Sequence, residues 1–520
     1  MTVFSPVFSP VFSRLLTHAL PLPLACALLL AGCAVGPDYK RPDAPVSEAF
    51  KEANATSDAT SDTTTDANAW RGDWKTAEPQ DAVARADWWT VFGDPQLDAL
   101  MSEVQISNQN IKAAEAQYRQ AVAALQAARA GFFPTVDAQA GASRARGASG
   151  NTLNGQSLTL GATWEIDVWG RVRRQVESSE ASAQASQADL GSTLLSTQAT
   201  LAQSYFLLRV ADAQKALLDR TVADYQKSLQ LVQNQYAAGT AQRSDVLQSE
   251  TQLKSAQAQQ IDIQITRAQL EHAIAVLVGK PPAALSLAAD DFRKAPPRVP
   301  AAVPSELLER RPDIGAAERR MASANAQIGV AQAAYYPTLS LSASGGLTAS
   351  TLARWMSLPD RIWSIGGGLA GTLFDGGLRS AAKAQAVAAY DQTVANYRQT
   401  VLSAFQEVED NLAAQRLLEQ EAVVQNDALR SARDALVLVN NRYRAGTAGL
   451  LDVLTAQTAA YTAERTALTI AGRQYTAAVV LIKALGGNWH PQPLDGATGS
   501  RPAGAAPATP AAPAITVGRR

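Results

Sequence analysis

This 520-residue chain has little with which to bind a metal or form a crosslink: two cysteines, Cys26 and Cys33, and three histidines, His18, His272 and His490. No set of these has metal-ligand spacing, which argues against a zinc site or a disulfide framework. Net charge is almost absent, with 46 basic against 47 acidic residues. There is thus no electrostatic ground for a nucleic-acid partner. The chain carries no nucleophile–base constellation and no Gly-rich phosphate loop, so an enzyme is the least favoured class and no cofactor is expected. Proline is missing from Thr135 to Lys280 and again from Asp360 to His490. Those gaps leave room for very long helices, because proline is the strongest helix breaker.

The N-terminus does carry an apolar run. Arg14 precedes LLTHALPLPLACALLLAGC, residues 15–33. The run is too short and too early for a spanning helix and reads as a secretory signal over residues 1–32. Its end, Leu30-Ala31-Gly32-Cys33, resembles a bacterial lipoprotein box. That resemblance implies cleavage before Cys33 and a covalent lipid on it. Ala34 follows, where an inner-membrane retention signal would have Asp, so outer-membrane sorting is expected. Cleavage removes Cys26 and leaves no second thiol for a disulfide.

Residues 33–96 are expected to hold a lipidated tether and the start of an equatorial region. The tether includes the small polar tract ATSDATSDTTTDANA. Residues 488–520, rich in Pro and Ala, read as an unstructured tail. Between these ends the chain repeats itself. AGFFPT at 130–135 returns as AAYYPT at 333–338, an offset of 203. IDVWGRVR at 166–173 is echoed by FDGGLR at 374–379, with Gly170 and Gly377 offset by 207. YAAGTAQRSDVL at 236–247 returns as YRAGTAGLLDVL at 443–454, also offset by 207. The repeats span roughly 97–290 and 305–487, joined by a linker at 291–304.

Each repeat passes from a helical stretch through an aromatic-Pro-Thr corner into alternating residues. Strands are expected at about 134–146, 157–168, 337–349 and 362–374. Val136, Ala138 and Ala140 alternate with Asp137 and Gln139; Leu158, Leu160 and Trp164 alternate with Thr159, Gly161 and Glu165. In the second repeat Trp363, Ile365, Leu369 and Leu373 share one parity. Period 2 gives each strand one apolar face. That face fits either a membrane barrel wall, with Trp164, Trp169 and Trp363 as an interfacial belt, or a soluble hairpin packed on a core. Trp169 also fits the strand-to-helix corner.

Long helices follow. Tyr390, Val394, Tyr397, Val401, Phe405, Val408 and Leu412 step at coiled-coil spacing, and Leu190, Leu194, Leu201, Tyr205 and Leu208 keep a similar rhythm. The helical hairpins turn near 236–245 and 443–452. Gly239-Thr240 and Gly446-Thr447 sit where a helix ends in the left-handed conformation. Asp245 and Asp452 follow, where an acidic side chain favours a helix N-terminus. Pro312 fits the first position of a helix, with Asp313 at its positive end.

The stretch LLERRPDIGAAERRMASANAQIGVAQAAYYPTLSL (307–341), with WWTVFGDPQLDAL (88–100), the two Gly-Thr turns and the lipoprotein box, resembles the TolC-like outer-membrane factor family in its NodT-type efflux lipoprotein branch. The resemblance covers about 88–487. It implies an α+β membrane protein and a homotrimer. Each chain gives four strands to a 12-stranded outer-membrane β-barrel, continuous with a periplasmic α-helical barrel. It further implies passive conduction of small molecules or drugs from an inner-membrane transporter of the RND type, through a periplasmic adaptor. A duct for type I protein secretion is the alternative within the same fold. A coiled-coil lipoprotein that only spaces membranes is the alternative outside it.

By the same resemblance the Gly-Thr turns are the periplasmic tips. Asp452 matches an acidic gate position, with Asp245, Tyr443 and Thr455 as further gate candidates. Tyr443 has two readings: a reach to Asp245 on the neighbouring hairpin, as a tyrosine makes in similar proteins, or ordinary interhelical packing. Thr455 stands where some relatives have a second acid, and Ala448 where some have arginine. Arg442 and Arg444 are the basic residues nearest that gap.

Overall fold

The computed structural model describes residues 35–44, 50–52, 87–146, 150, 152–290, 297, 310–349 and 361–487. The expected signal, Cys33, most of the tether, most of the linker and the C-terminal tail lie outside them.

Each repeat builds the same sequence of parts. In the first, α1 (Pro95–Ser107) and α2 (Gln109–Ala130) lead to strands β1 (Thr135–Arg146) and β2 (Thr152–Ile166). The 67-residue α3 (Arg171–Ala237) follows and turns into the 35-residue α4 (Arg243–Leu277). In the second, α5 (Pro312–Ala333) leads to β3 (Thr338–Ala349) and β4 (Arg361–Ala370). The 67-residue α6 (Leu378–Arg444) then turns into the 35-residue α7 (Leu450–Ala484). At 1.5 Å per residue, α3 and α6 are each about 100 Å long. Among the described residues no helix is long and apolar enough to cross a membrane.

The four strands form one antiparallel sheet in the order β1-β2-β3-β4. β2 begins at Thr152, earlier than the alternation predicts, because β1 runs on to Arg146 and pairs it with Thr152. β4 ends at Ala370, short of the expected 374, because its in-chain partner β3 begins at Thr338, opposite Ala370. Leu373 and Phe374, expected on the strand, lie beyond it and are 99% and 89% exposed.

The returning helix of each hairpin covers only half of its long partner. The other half is covered by the helix that rises to the sheet. These two stack end to end, and one side chain closes each joint. In repeat 1, Asn108 Oδ1 accepts from the N–H groups of Asn110 and Ile111, while its amide donates to the Leu277 carbonyl at 2.6 Å. In repeat 2, Arg311 donates to the Ala484 carbonyl at 3.0 Å and pairs with Glu407 and Asp313. Gly279 and Gly486 pass so close to the neighbouring backbone that a Cβ on either would lie 2.4 Å from a carbonyl oxygen.

The main core sits at this mid-height. Trp88, Trp89, Phe92, Leu97, Met101, Leu201, Tyr205, Phe206 and Tyr475 pack there. Burial, and next the nearby Asp94 charge, push the Tyr475 phenol up to about 12. Burial and its bond to Asp94 likewise raise Tyr205. Arg209, with its side chain 4% exposed, donates to Asp212 and to the Ala288 carbonyl; Arg267 donates to Asp212 and to the Leu287 carbonyl. Buried charges persist only when paired in this way. Here they fasten the chain that leaves α4 back onto the hairpin.

The segment before the repeats is not a free tether at every point. Val35 N–H donates to the Trp169 carbonyl at the base of the sheet. Arg174 pairs with Asp38, Tyr39 donates to Glu318, and Arg41 donates to Tyr397. Phe50 then packs between Phe405, Val408 and Leu481, and Arg416 pairs with Glu52. The strap thus descends along α5 and α6 from the sheet to the mid-height core.

Candidate functional site at the sheet and the hairpin tips

The sheet has one apolar face and one small polar face. Register puts Ala138 opposite Leu160, Leu160 opposite Gly345, Trp164 opposite Leu341 and Ala343 opposite Ile365, all on the first face. No described element covers it: Trp363 is 80% exposed, Ile365 77% and Leu369 70%. A soluble hairpin would bury such residues against a core, so the structure removes that reading of the alternation. The opposite face carries Thr135, Thr163, Ser344 and Ser364, which bond across strands at 2.8 Å within each pair. An apolar face bare to the outside and a hydroxyl-lined face behind it are the two sides of a membrane β-wall. Trp164 stands near the base end of β2, level with Leu341, and Trp363 near the start of β4, level with Gly345 and four rows higher. Trp169 belongs to the corner instead: its indole donates to the Pro337 carbonyl at 2.7 Å and stacks on Tyr336.

At the other end of the long helices the two turns are built alike. Gly239 and Gly446 have φ of 76° and 73°. Gly239 N–H donates to Tyr236 and Thr240 N–H to Gln235; Gly446 N–H donates to Tyr443 and Thr447 N–H to Arg442. The hydroxyls of Thr240 and Thr447 add bonds to those same carbonyls of Gln235 and Arg442. This double closure satisfies the last carbonyls of each long helix, and it requires glycine at the left-handed position.

Asp245 and Asp452 begin the returning helices. Asp245 accepts from the Gln242 N–H at 3.1 Å, and Asp452 from the Gly449 N–H at 3.0 Å. Both carboxylates therefore cap helix N-termini within one chain, and Asp452 stays exposed at the tip. Tyr443 does reach the neighbouring hairpin, but its hydroxyl donates to Gln235 at 2.8 Å and not to Asp245. Asp245 is already engaged by its own helix end. Thr455 turns its hydroxyl back to the Leu451 carbonyl at 2.8 Å, and Arg442 donates to the Thr447 carbonyl at 3.3 Å. Arg444 is exposed beside them.

Above the tips the hairpins are tied laterally by polar side chains. Gln457 donates to Ser228, Gln252 to Thr458, Tyr461 to Gln259 and Arg220 to Glu464. Such polar ties between side chains near the surface are individually weak.

The sequence reading missed Asn108, Arg311, Gly279 and Gly486. The repeat offsets held the signal: Asn108 and Arg311 are 203 apart, and Gly279 and Gly486 are 207 apart.

The family model described as "Outer membrane efflux protein" matches residues 100–280 and 303–487, both repeats. The probable efflux pump outer membrane protein TtgC of Pseudomonas putida is 30% identical over 482 residues, 90% of this chain and 95% of that protein. The pyoverdine export outer membrane protein OpmQ of Pseudomonas aeruginosa is 32% identical over 436 residues, 81% of this chain and 90% of that protein. Among solved structures, the outer-membrane channel OprN matches with a TM-score of 0.78 at 31% identity, covering 88% of this chain and 99% of that one. The open state of the Neisseria gonorrhoeae MtrE outer membrane channel matches with a TM-score of 0.75 at 28% identity, covering 88% of this chain and 98% of that one. With its bare β-wall at one end and its paired helical tips at the other, this chain belongs to the outer membrane efflux protein family, whose channels span the outer membrane and reach into the periplasm.

Proposed function

We propose that three copies of this chain close their sheets into one barrel of twelve strands, four from each, and form the exit duct of a tripartite efflux system. The observation that carries this is the open sheet: an uncovered apolar face bounded by two unpaired edges, β1 and β4. Unpaired backbone groups cannot face lipid, so the sheet must be completed by other strands. The described residues of this chain supply none.

Conduction is passive, driven by an inner-membrane transporter of the RND type acting through a periplasmic adaptor that meets the hairpin tips. Small molecules are the cargo, in keeping with the efflux and pyoverdine-export names of the relatives above. The tips form the gate, with Asp452 from each copy facing the pore. The exposure of Asp452 at the tip supports this role, and its bond from the Gly449 N–H uses only one carboxylate oxygen. A ring of such carboxylates favours cations.

Cys33 carries the lipid. Its neighbour Val35 is fastened to the Trp169 carbonyl at the base of the sheet, so acyl chains on Cys33 enter the bilayer beside the barrel. Each buried CH2 of such a chain contributes about 0.8 kcal/mol.

Planar-bilayer recording tests the reading. The purified protein should open cation-preferring pores, and Asp452→Asn, which keeps the cap but removes the charge, should weaken that preference. A protein that passes no ions contradicts the duct. Unchanged selectivity in the variant reduces Asp452 to a helix cap.

A further inference from the structure

The two β-hairpins of the chain are copies of one another in register as well as in sequence. Ala140 pairs with Leu158 in the first; moving 203 residues from Ala140 and 207 from Leu158 gives Ala343 and Ile365, which pair in the second. The two hairpins are joined by one further pairing, β2 with β3, in which Ala162 lies opposite Ala343. That pairing is the join between one repeat and the next.

When copies of the chain close a barrel, β4 of one must meet β1 of the next. This is again a join between one repeat and the next, and the same backbone geometry is available to it. We infer that the join between chains repeats the join within the chain. The inference rests on the reading that copies close one barrel. Adding 207 to Ala162 and subtracting 203 from Ala343 places Leu369 of one copy opposite Ala140 of its neighbour. The remaining positions follow: Trp363 faces Arg146, Ile365 faces Arg144, Gly366 faces Ser143, and Leu373 faces Val136.

This register has three consequences. First, every pair keeps its face. Leu369, Ala140, Leu373 and Val136 all belong to the apolar side, and a slip by one residue would turn one strand's apolar set toward the lumen. Second, it explains why β4 stops early. Within the chain, Trp164 to Ile166 of β2 extend past the start of β1 and pair only with β3. The corresponding residues of β4 are Gly371 to Leu373, and their partner is β1 of the next copy. The 99% exposure of Leu373 is thus the mark of a missing neighbour, and the alternation that runs on to that residue is a property of the assembled wall. Third, it extends to the helices below. Within the chain Ser178 of α3 bonds Ser323 of α5 at 2.9 Å. The same offsets bring Gln385 of α6 to Gln120 of the neighbour's α2. Both are exposed in the single chain, and both can donate and accept.

Paired cysteines in the full-length lipoprotein test the register. Ala140→Cys with Leu369→Cys, oxidised in membranes, should give a ladder of two- and three-chain products that collapses to one chain on reduction. Ala162→Cys with Ala343→Cys, the equivalent pair inside one chain, serves as the geometric control and should oxidise without joining chains. Leu369→Cys combined with Ala138→Cys or Ala142→Cys reports slips of two residues and should crosslink at least several-fold less. A ladder strongest for either shifted pair overturns the register while leaving barrel closure intact. So does absence of any ladder when the in-chain pair oxidises and the detergent-solubilised mass is that of three copies. Absence of a ladder from all pairs with the mass of a single chain defeats the barrel reading itself.

Discussion

The two repeats follow one backbone plan yet close their mid-height joints with different chemistry. In repeat 1 a single neutral side chain does two jobs: Asn108 caps the start of α2 and also donates to the last carbonyl of α4. In repeat 2 the same place holds Arg311, which cannot accept a hydrogen bond. The work is therefore divided. Arg311 takes the donor role toward the Ala484 carbonyl, and Asp313 accepts from the Ile314 N–H. Pro312 at the first helical position removes one N–H that would need a partner. Arg311 itself is then neutralised by Asp313 and Glu407. Backbone geometry is the conserved requirement of the joint; side-chain identity is one of several ways to satisfy it.

The largest effect that separates the repeats is expected from Arg311→Ala. It leaves the Ala484 carbonyl without its donor and Glu407 with Lys483 alone, at 3.5 Å, at a cost of about 3 kcal/mol. Thermal unfolding in detergent, followed by helical circular dichroism, should show a much lower midpoint than Asn108→Ala. The latter loses a cap and one bond, about 2 kcal/mol in all. Equal midpoints for the two variants would mean that the charged joint is no stronger a constraint than the neutral one.

Gly279→Ala and Gly486→Ala should instead behave alike. Both glycines have positive φ, 73° and 90°, and both would drive a Cβ to 2.4 Å from a carbonyl oxygen. Each should cost at least about 2 kcal/mol by the same unfolding measurement. A tolerated substitution at one site alone would break the equivalence of the joints. The smallest effects belong to the tips. Asp245→Ala and Asp452→Ala remove matched caps and should each cost about 0.5–1 kcal/mol. A clear difference between them would show that one tip carries a load that the other does not.

Much of this was legible in the sequence because it obeys a period. Alternation marked all four strands, the proline gaps marked the long helices, and the repeated Gly-Thr turns marked both tips. What escaped was set by tertiary geometry. Asn108 and Arg311 share a place in the fold but no chemistry, so residue type gave no hint that they correspond. The strap at residues 35–44 has no apolar rhythm, because backbone groups and isolated side chains such as Tyr39 and Arg41 hold it. Of the two readings of Tyr443, the contact with Asp245 is not made, because that carboxylate is held by its own helix end; the hydroxyl goes to Gln235 across the helices instead. The end of β4 was placed beyond Ala370 because alternation counts the residues a strand can pair. The isolated chain shows only those it does pair.

One quantity decides the central claim that a single chain is an unfinished wall: the mass of the purified, lipidated protein in detergent, measured by native mass spectrometry. Three copies should leave the micelle as one particle, with no population of single chains. A stable, folded, lone chain would contradict the account, because its two bare strand edges would then need no partner.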